Sequence, residues 1–395
     1  MQWRRVADAA AISVAPSLPE PILVRDAILG PLFPASHQAG VAGAAETPGI
    51  KLTHWRCDSA EGCFDRFEVH LIEGDPNGFP VVSGPAVYAG PFFAHFGHML
   101  AECIHRLWAA TLVPALRDAG IVFQATVEGT RPAWLDPILV LCGIDPARVM
   151  LVRTPTRFET LYVPEQGRAL GGDILIPDYP SLFPLAPIDP MPAGASSRVY
   201  VSRSHHIHSG SYLGESLIES VLAGAGFDIL HPEELAIREV VARLAGADMI
   251  VFAEGSAIHH LELCGPVEAR ILLIGRRGGT DLRFGRLLRS LAADLHIFAG
   301  KRATICLDWE SEDLPRRGRG CSFVDIPALI AALSEFTGVA MPVPDAATRR
   351  DAISRDLLRF LLDPRSGTTS NDKQLGRALR AIRGDPEIQA LIASA

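Results

Sequence analysis

The sequence predicts an α/β protein built from two lobes, and three observations carry that expectation. Beyond residue 196, short apolar runs alternate with amphipathic segments at the spacing of a parallel, doubly wound sheet. Residues 176–194, "IPDYPSLFPLAPIDPMPAG", carry prolines at 177, 180, 184, 187, 190 and 192. Such a run excludes an ordinary helix or a central strand and makes a stiff strap between domains. The half before the strap also mixes strand-like and helix-like segments.

In that first half, "RFEVHLIEG" (66–74) alternates polar and apolar residues like a half-exposed strand. "HFGHMLAECIHRLW" (95–108) reads as a helix from about Phe96. His95, His98, Glu102 and His105 or Arg106 recur along it at three- and four-residue spacing and so share a face. Met99, Leu100, Cys103, Ile104, Leu107 and Trp108 are left to face a core. "IVFQATVEG" (121–129) reads as a strand, "AWLDPILVLCG" (133–143) as a helix, and further strands fall near 148–153 and 158–163.

After the strap, "RVYVS" (198–202) is a buried strand and "GESLIESVLAGAG" (214–226) a helix with Leu217, Ile218, Val221 and Leu222 inward. "FDIL" (227–230) is a strand, and "PEELAIREVVARLAGA" (232–247) a helix with proline in its first turn. "DMIVF" (248–252), "SAIHHLELCG" (256–265) and "ARILLIG" (269–275) read as strand, short helix and strand, and one more helix and strand follow. Beyond 301, "DIPALIAALSEFTG" and "ATRRDAISRDLLRFLL" are amphipathic helices whose arginines are mostly matched by aspartates. The expected divisions are therefore 1–190, 191–300 and a helical extension, 301–395.

Composition narrows the function classes. With 395 residues, 48% of them hydrophobic, the chain can bury a sizeable core. A formal net charge of −8 argues against nucleic acid as partner. No apolar run approaches the roughly 18 residues of a membrane span. Asp8 interrupts the small-residue stretch after Arg4 and Arg5, so a cleaved signal peptide is not expected. The seven cysteines form no CxxC pair and mostly lie in apolar surroundings, which reads as buried, unbridged thiols. Cys57 and Cys63 flank "DSAEG" and would pair only in an oxidising compartment.

Ligands of open parallel sheets bind beyond the carboxyl ends of the strands. Three loops of the second lobe arrive there: "SRSHHIHSGSYLG", "HPE" and "AEGS". In the last, Gly255 and Ser256 open a helix, and Gly255, Ser256 and Ala257 can present backbone N–H groups to a phosphate or diphosphate. Arg203, at the end of the first strand, offers a guanidinium fork to the same anion. Glu233 follows Pro232 at the second strand end, where a carboxylate can meet ribose hydroxyls. His259, one turn into the helix, is a further donor. The histidines of "SRSHHIHS" and of "HFGHMLAE" lack the spacing of a zinc-protease helix, and no Walker loop, Gly-x-Ser-x-Gly elbow or Asp-x-Asp pair occurs.

Four ordered segments resemble glycosyltransferase family 61, whose members include the EGF-domain O-GlcNAc transferase, plant xylan-substituting transferases and bacterial proteins of the capsular-polysaccharide-biosynthesis type. "FGHMLAECIHRLW" is similar to the family's aromatic-rich His-hydrophobic-Leu-x-Asp/Glu segment, and "RVYVSRS" to its Tyr-Ile-Ser-Arg strand end. "LGESLIESVLAGAGFDILHPEEL" resembles its Asn-Glu helix followed by a strand and Pro-Glu, with Gly214 at the asparagine position and Glu215 retained. "ADMIVFAEGSAIHHLEL" resembles its Gly-x-His-Gly-Ala segment, with Glu254 in place of the histidine.

The resemblance implies a GT-B-like architecture, two facing Rossmann-like lobes with the donor in the C-terminal one. It also implies inverting transfer of a sugar from a nucleotide-diphosphate donor, a UDP-sugar first among candidates, to a hydroxyl of a polysaccharide or glycolipid acceptor. No cofactor and no metal are expected. His98 and Glu102 are the expected catalytic residues, either one serving as base, and Arg203, Glu233, Gly255, Ser256, Ala257 and His259 the expected donor contacts. The expected location is cytoplasmic, at the inner face of the cell membrane if peripherally attached. The alternatives are a catalytically inactive nucleotide-sugar-binding protein and a metal-dependent hydrolase built on the histidines.

Overall fold

The structure, a computed structural model, describes residues 18–33, 41–58, 62–182, 186–276, 284–305 and 320–363. The N-terminal stretch up to residue 17 and Cys306 lie outside the described residues. The chain divides into two compact units. The first comprises Met1–Asp189, His259–Pro266 and Arg286–Leu291; the second comprises Pro190–Ile258, Val267–Gly285 and Ala292–Ala395.

The first unit holds β1 (Ile22–Leu32), β2 (Val41–Glu46), β3 (Trp55–Asp58), β4 (Gly62–Asp65), β5 (Phe67–His70), β6 (Val81–Pro91), β7 (Gly120–Gln124), β8 (Val149–Val152) and β9 (Thr156–Val163). Seven of them form one sheet in the order β5-β2-β1-β9-β6-β7-β8. Strands β9, β6, β7 and β8 run parallel, whereas β1 is antiparallel to both of its neighbours. The first half is thus α/β in part only, with an antiparallel portion that periodicity did not reveal. The reason lies in its punctuation. Pro31 and the positive φ of Asp26 interrupt β1, and Gly84, Pro85 and Gly90 interrupt β6, so both strands read as turns. The register shifts between Leu29 and Leu32 in β1, and between Val82 and Pro85 and between Tyr88 and Gly90 in β6. Within the sheet, the buried Gln124 amide donates to the carbonyls of Gly30 and Ala44 and accepts from the Tyr88 hydroxyl.

The expected helix at 95–108 is helical but not uniform. It starts as α1 (Phe96–His98), widens to a π turn over Met99–Cys103, tightens to a 3-10 turn over Ile104–Arg106 and resumes as α2 (Trp108–Leu112). Every residue assigned to the core side, from Met99 to Trp108, is buried. So are Glu102, His105 and Arg106 on the supposedly outer side. The change of winding turns His105 and Arg106 away from the His98–Glu102 row, since a π turn shifts the phase of all that follows. The expected single stripe is therefore two. Helix α3 (Leu135–Leu141) completes the main elements before the strap.

The second unit is a five-stranded parallel sheet of β10 (Arg198–Val201), β11 (Asp228–Leu230), β12 (Met249–Ala253), β13 (Val267–Ile274) and β14 (Ala292–Phe298). Its order, β11-β10-β12-β13-β14, is 2-1-3-4-5 counted from its own first strand. The topology therefore reverses between β10 and β12, and the crevice beyond that reversal is where such sheets take ligands. Helices α4 (Glu215–Gly224) and α5 (Ile237–Ala245) connect the first three strands. The helix expected over 232–247 is broken. Pro232–Glu234 makes a separate 3-10 turn, and α5 begins only after the extended Leu235 and Ala236.

Helix α6 (Arg286–Leu291) precedes β14 and belongs to the first unit. Beyond 301 the described chain makes a two-stranded sheet, β15 (Lys301–Ile305) with β16 (Cys321–Val324), before α7 (Ile326–Thr337) and α8 (Ala346–Leu362). Asp325 caps α7 by accepting from the Ala328 N–H, and Asp345 caps α8 by accepting from the Thr348 N–H. Leu329, Leu333 and Phe360 of these helices share one apolar core with Tyr200, Ile218 and Leu222. Among the described residues no helix is long and apolar enough to cross a membrane.

Candidate active site

Two clusters of functional side chains are built, one in each unit. In the first unit, Glu102 in the π turn sits at the centre, almost fully buried at 1% exposure. Its Oε2 accepts from His54 Nε2 at 2.7 Å and from Arg56 Nε at 2.8 Å. Its Oε1 accepts from Arg56 Nη2 at 3.0 Å and from His98 Nδ1 at 2.5 Å. These four donors occupy the lone pairs that a carboxylate offers.

Burial alone would raise the Glu102 pKa, yet the hydrogen bonds of His54 and His98 and the charge of Arg56 hold it well below the ordinary carboxylate range. An ionised, saturated Glu102 holds and orients; it has no site left for a substrate proton. It also sets the tautomer of His98, whose Nδ1 must carry the hydrogen, so that in the neutral ring the lone pair is on Nε2. The His98 side chain is 28% exposed.

The surroundings explain why these atoms hold their places. His54 and Arg56 alternate on an extended segment and so point the same way. The Trp55 N–H donates to Gln166 Oε1, Gln166 returns a hydrogen bond to the Trp55 carbonyl, and the Cys57 N–H donates to the Leu170 carbonyl. Asp65 accepts from the backbone N–H groups of His54 and Phe67. Cys57 and Cys63, facing each other across the β3–β4 hairpin, form a disulfide. That corrects the reading of all seven cysteines as unbridged, while Cys103, Cys142, Cys264 and Cys321 are buried free thiols as expected. The Phe93 ring packs against His98 edge to face at 5.8 Å and lies under the Arg56 guanidinium at 5.5 Å. His95 is the N-cap of α1, its Nδ1 accepting from the His98 N–H at 3.3 Å.

A second clamped carboxylate lies in the same unit. Glu262 faces Arg168 Nε at 3.4 Å, His105 Nε2 at 3.8 Å and His259 Nδ1 at 3.5 Å. His259 thus pairs with a carboxylate of the first unit, and the short helix carrying it, Ser256–Leu263, is 3-10 throughout rather than α. Burial pushes the His105 imidazole down to about 4, and burial lowers that of His54 as well. Unfolded histidines titrate near 6.5, so between about 6.5 and 4 the unfolded chain binds protons that the folded chain refuses. Stability contributed by these groups is fully present above about 6.5 and is lost as pH falls toward 4. The melting temperature should therefore drop between pH 7.5 and 5, with a shallower slope in His105→Gln; a parallel decline in the two proteins would be the contrary result.

In the second unit, Arg203 and Gly255 meet at the reversal point of the sheet. A Cβ on Gly255 would collide with the Arg203 guanidinium, so the glycine is what lets the arginine lie across this turn. Arg203 Nε also donates to the Gly210 carbonyl at 3.1 Å. Its backbone N–H donates to Glu215 Oε1 at 2.7 Å, and Tyr200, Ser202 and Ser211 donate to the same buried carboxylate. Burial raises the Glu215 pKa. Glu215 thereby ties the start of α4 to the end of β10.

Ser256 and Ala257 follow at the start of the 3-10 helix, partly exposed. Glu254 Oε2 accepts from the Arg276 N–H at 2.7 Å, and both residues are buried. Glu233 lies among histidines, with His205 Nδ1 and His206 Nε2 each 3.3 Å from its carboxylate. The structure therefore joins His98 with Glu102 and Arg203 with Gly255, and gives His259 and Glu233 other partners.

Sequence reasoning missed His54, Arg56, Arg168 and Glu262. "HWRC" did carry a signal: two polar residues in alternation on an extended stretch, the pattern of one face of a strand. For Arg168 and Glu262 nothing local marks the pairing, 94 residues apart in numbering (262 − 168).

The second unit holds an arginine and a glycine turn at the reversal point of a parallel sheet, and the first holds a histidine hydrogen-bonded to a buried carboxylate. The model of the family described as Glycosyltransferase 61 matches residues 96–271, from the first residue of α1 into β13. That match supports glycosyltransferase family 61 and, with it, glycosyltransferase activity. No curated protein matches the chain.

Proposed function

We propose that the protein is an inverting glycosyltransferase that moves a sugar from a nucleotide-diphosphate donor, UDP-linked in the first instance, to a hydroxyl of a glycan or glycolipid acceptor. The observation that carries this reading is the saturated Glu102, which commits His98 to one tautomer and leaves Nε2 as the basic atom. In the proposed step the acceptor oxygen attacks the anomeric carbon, the bond from that carbon to the diphosphate oxygen breaks, and the acceptor proton passes to His98 Nε2. Glu102 stabilises the imidazolium that results, a role open to a carboxylate that stays ionised.

The diphosphate is assigned to Arg203 and the turn at Gly255, Ser256 and Ala257. A guanidinium and backbone N–H groups preorganised there would meet the charge of the leaving group without Mg²⁺ or Mn²⁺. The Glu254 carboxylate is buried and already engaged by the Arg276 N–H, which is compatible with an active enzyme as well as with a catalytically inactive nucleotide-sugar-binding protein.

Calorimetric titration of UDP in the presence of EDTA tests the donor site. The parent protein should bind, and Arg203→Ala should bind at least about tenfold more weakly, in line with loss of a charge-assisted hydrogen bond. Equal affinity in the two proteins, or binding that returns only with Mn²⁺ or Mg²⁺, would overturn the assignment.

A further inference from the structure

The turn after β10, the turn after β11 and helix α4 bring three imidazoles and three carboxylates together on the second unit. Glu233 Oε1 is 3.3 Å from His205 Nδ1 and 4.0 Å from His231 Nδ1. Glu233 Oε2 is 3.3 Å from His206 Nε2, Glu234 Oε1 is 3.1 Å from His205 Nδ1, and Glu219 Oε1 is 3.6 Å from His231 Nε2. The ligand atoms of His205, His231 and Glu233 all lie within 4.8 Å of one another. We propose that His205, His231 and Glu233 bind a divalent transition-metal ion of the Zn²⁺ type.

Three independent features favour a cation there. His231 Nδ1 is buried and makes no hydrogen bond, although it faces the Glu233 carboxylate. A buried ring nitrogen without a partner is costly, and a metal ion satisfies it. The rings of His205 and His231 stack at 3.9 Å and 8°. The stack sets the Nδ1 atoms of both rings beside the same Glu233 Oε1. Glu219, Glu233 and Glu234 add negative charge to the same edge, which a bound cation offsets.

The spacing is also that of a nearly assembled site. Tetrahedral Zn²⁺ with ligands at about 2.0–2.2 Å holds its donor atoms roughly 3.2–3.6 Å apart. The 3.3 Å pair already meets this, and the 4.0 Å pair must close by a few tenths of an ångström. His205, with a side chain 42% exposed, can turn to align its lone pair. Pro232 and the hydrogen bond from the Glu234 N–H to the His231 carbonyl fix the backbone between the other two ligands. Imidazole and carboxylate together select Zn²⁺ and its neighbours over Mg²⁺ or Ca²⁺, which prefer all-oxygen shells. Among the described residues the other convergent group is Cys57, Cys63 and Asp173, whose thiols are consumed by the disulfide.

The ion ties the loop after β10 to the loop after β11. This inference stands apart from the transfer reaction and assigns Glu233 to metal rather than to a ribose. Zn²⁺ titrated into the metal-free, full-length protein without reductant should bind saturably at one ion per chain and raise the melting temperature. His231→Gln and Glu233→Gln, each checked by circular dichroism for native fold, should bind at least about tenfold more weakly and lose the thermal shift. Excess Mg²⁺ should not displace the Zn²⁺. The proposal is overturned if the parent shows no saturable uptake, or if both variants bind as the parent does, which would place the ion on other side chains. Since the readout is binding of Zn²⁺ alone, its outcome is independent of whether sugar transfer is found.

Discussion

His98→Ala should lose at least about two orders of magnitude in transfer rate while binding the nucleotide donor as the parent does. Base catalysis supplies typically about 10²–10⁴-fold, and in the proposed reaction His98 meets the acceptor hydroxyl rather than the diphosphate. Glu102→Gln should show nearly the same loss for a different reason. The neutral amide no longer compels His98 Nδ1 to carry the hydrogen, and it cannot stabilise the imidazolium. If the two residues act as one unit, the double variant should be little worse than the poorer single one. A pair that merely packs would behave otherwise: melting temperature would fall and the folded fraction would keep full specific activity. Rate, donor affinity and melting temperature measured on the same preparations distinguish these results.

Arg56→Ala should be the most damaging substitution for stability in the first unit. Arg56 makes two of the four hydrogen bonds to Glu102, through Nε and Nη2, and it is 6% exposed. Removing one partner of a buried ion pair leaves the other charge uncompensated, at a cost of about 3–5 kcal/mol. Urea unfolding should show a midpoint shifted down by the corresponding amount with an unchanged slope. Adding Glu102→Gln to Arg56→Ala should restore part of the loss, because the amide tolerates burial without a cation. A midpoint within error of the parent would mean that Glu102 keeps its charge by other means. Activity should fall too, since a Glu102 that gains a proton no longer orients His98.

The second unit was largely legible from one dimension. Its inner strands β10, β12 and β13 carry short apolar runs, the connections include helices close by in sequence, and a parallel sheet buried on both faces leaves such runs largely unbroken. The same local logic located Arg203 and Gly255, because ligand sites of these sheets fall at strand ends whatever the side chains elsewhere. That the guanidinium lies across the glycine is a packing result, yet both residues were visible as candidates.

The sequence by itself thus determined the parallel sheet and the pairing of His98 with Glu102, whose four-residue separation is a helical neighbour distance. Only the tertiary structure decided what surrounds Glu102. His54 and Arg56 reach it across 48 and 46 residues, from an extended segment whose position depends on hydrogen bonds to residues 166 and 170. Those partners saturate the carboxylate, so that in the proposed reaction it orients the base and does not serve as one. Likewise the π turn over Met99–Cys103 sent His105 and Arg106 to different partners, although a regular helix would have kept them in the row. Periodicity records contacts a few residues apart, because side chains that share a turn or a pleat repeat at a fixed interval. A contact made by folding the chain back on itself leaves no interval to read, and the chemistry of Glu102 rests on contacts of that kind.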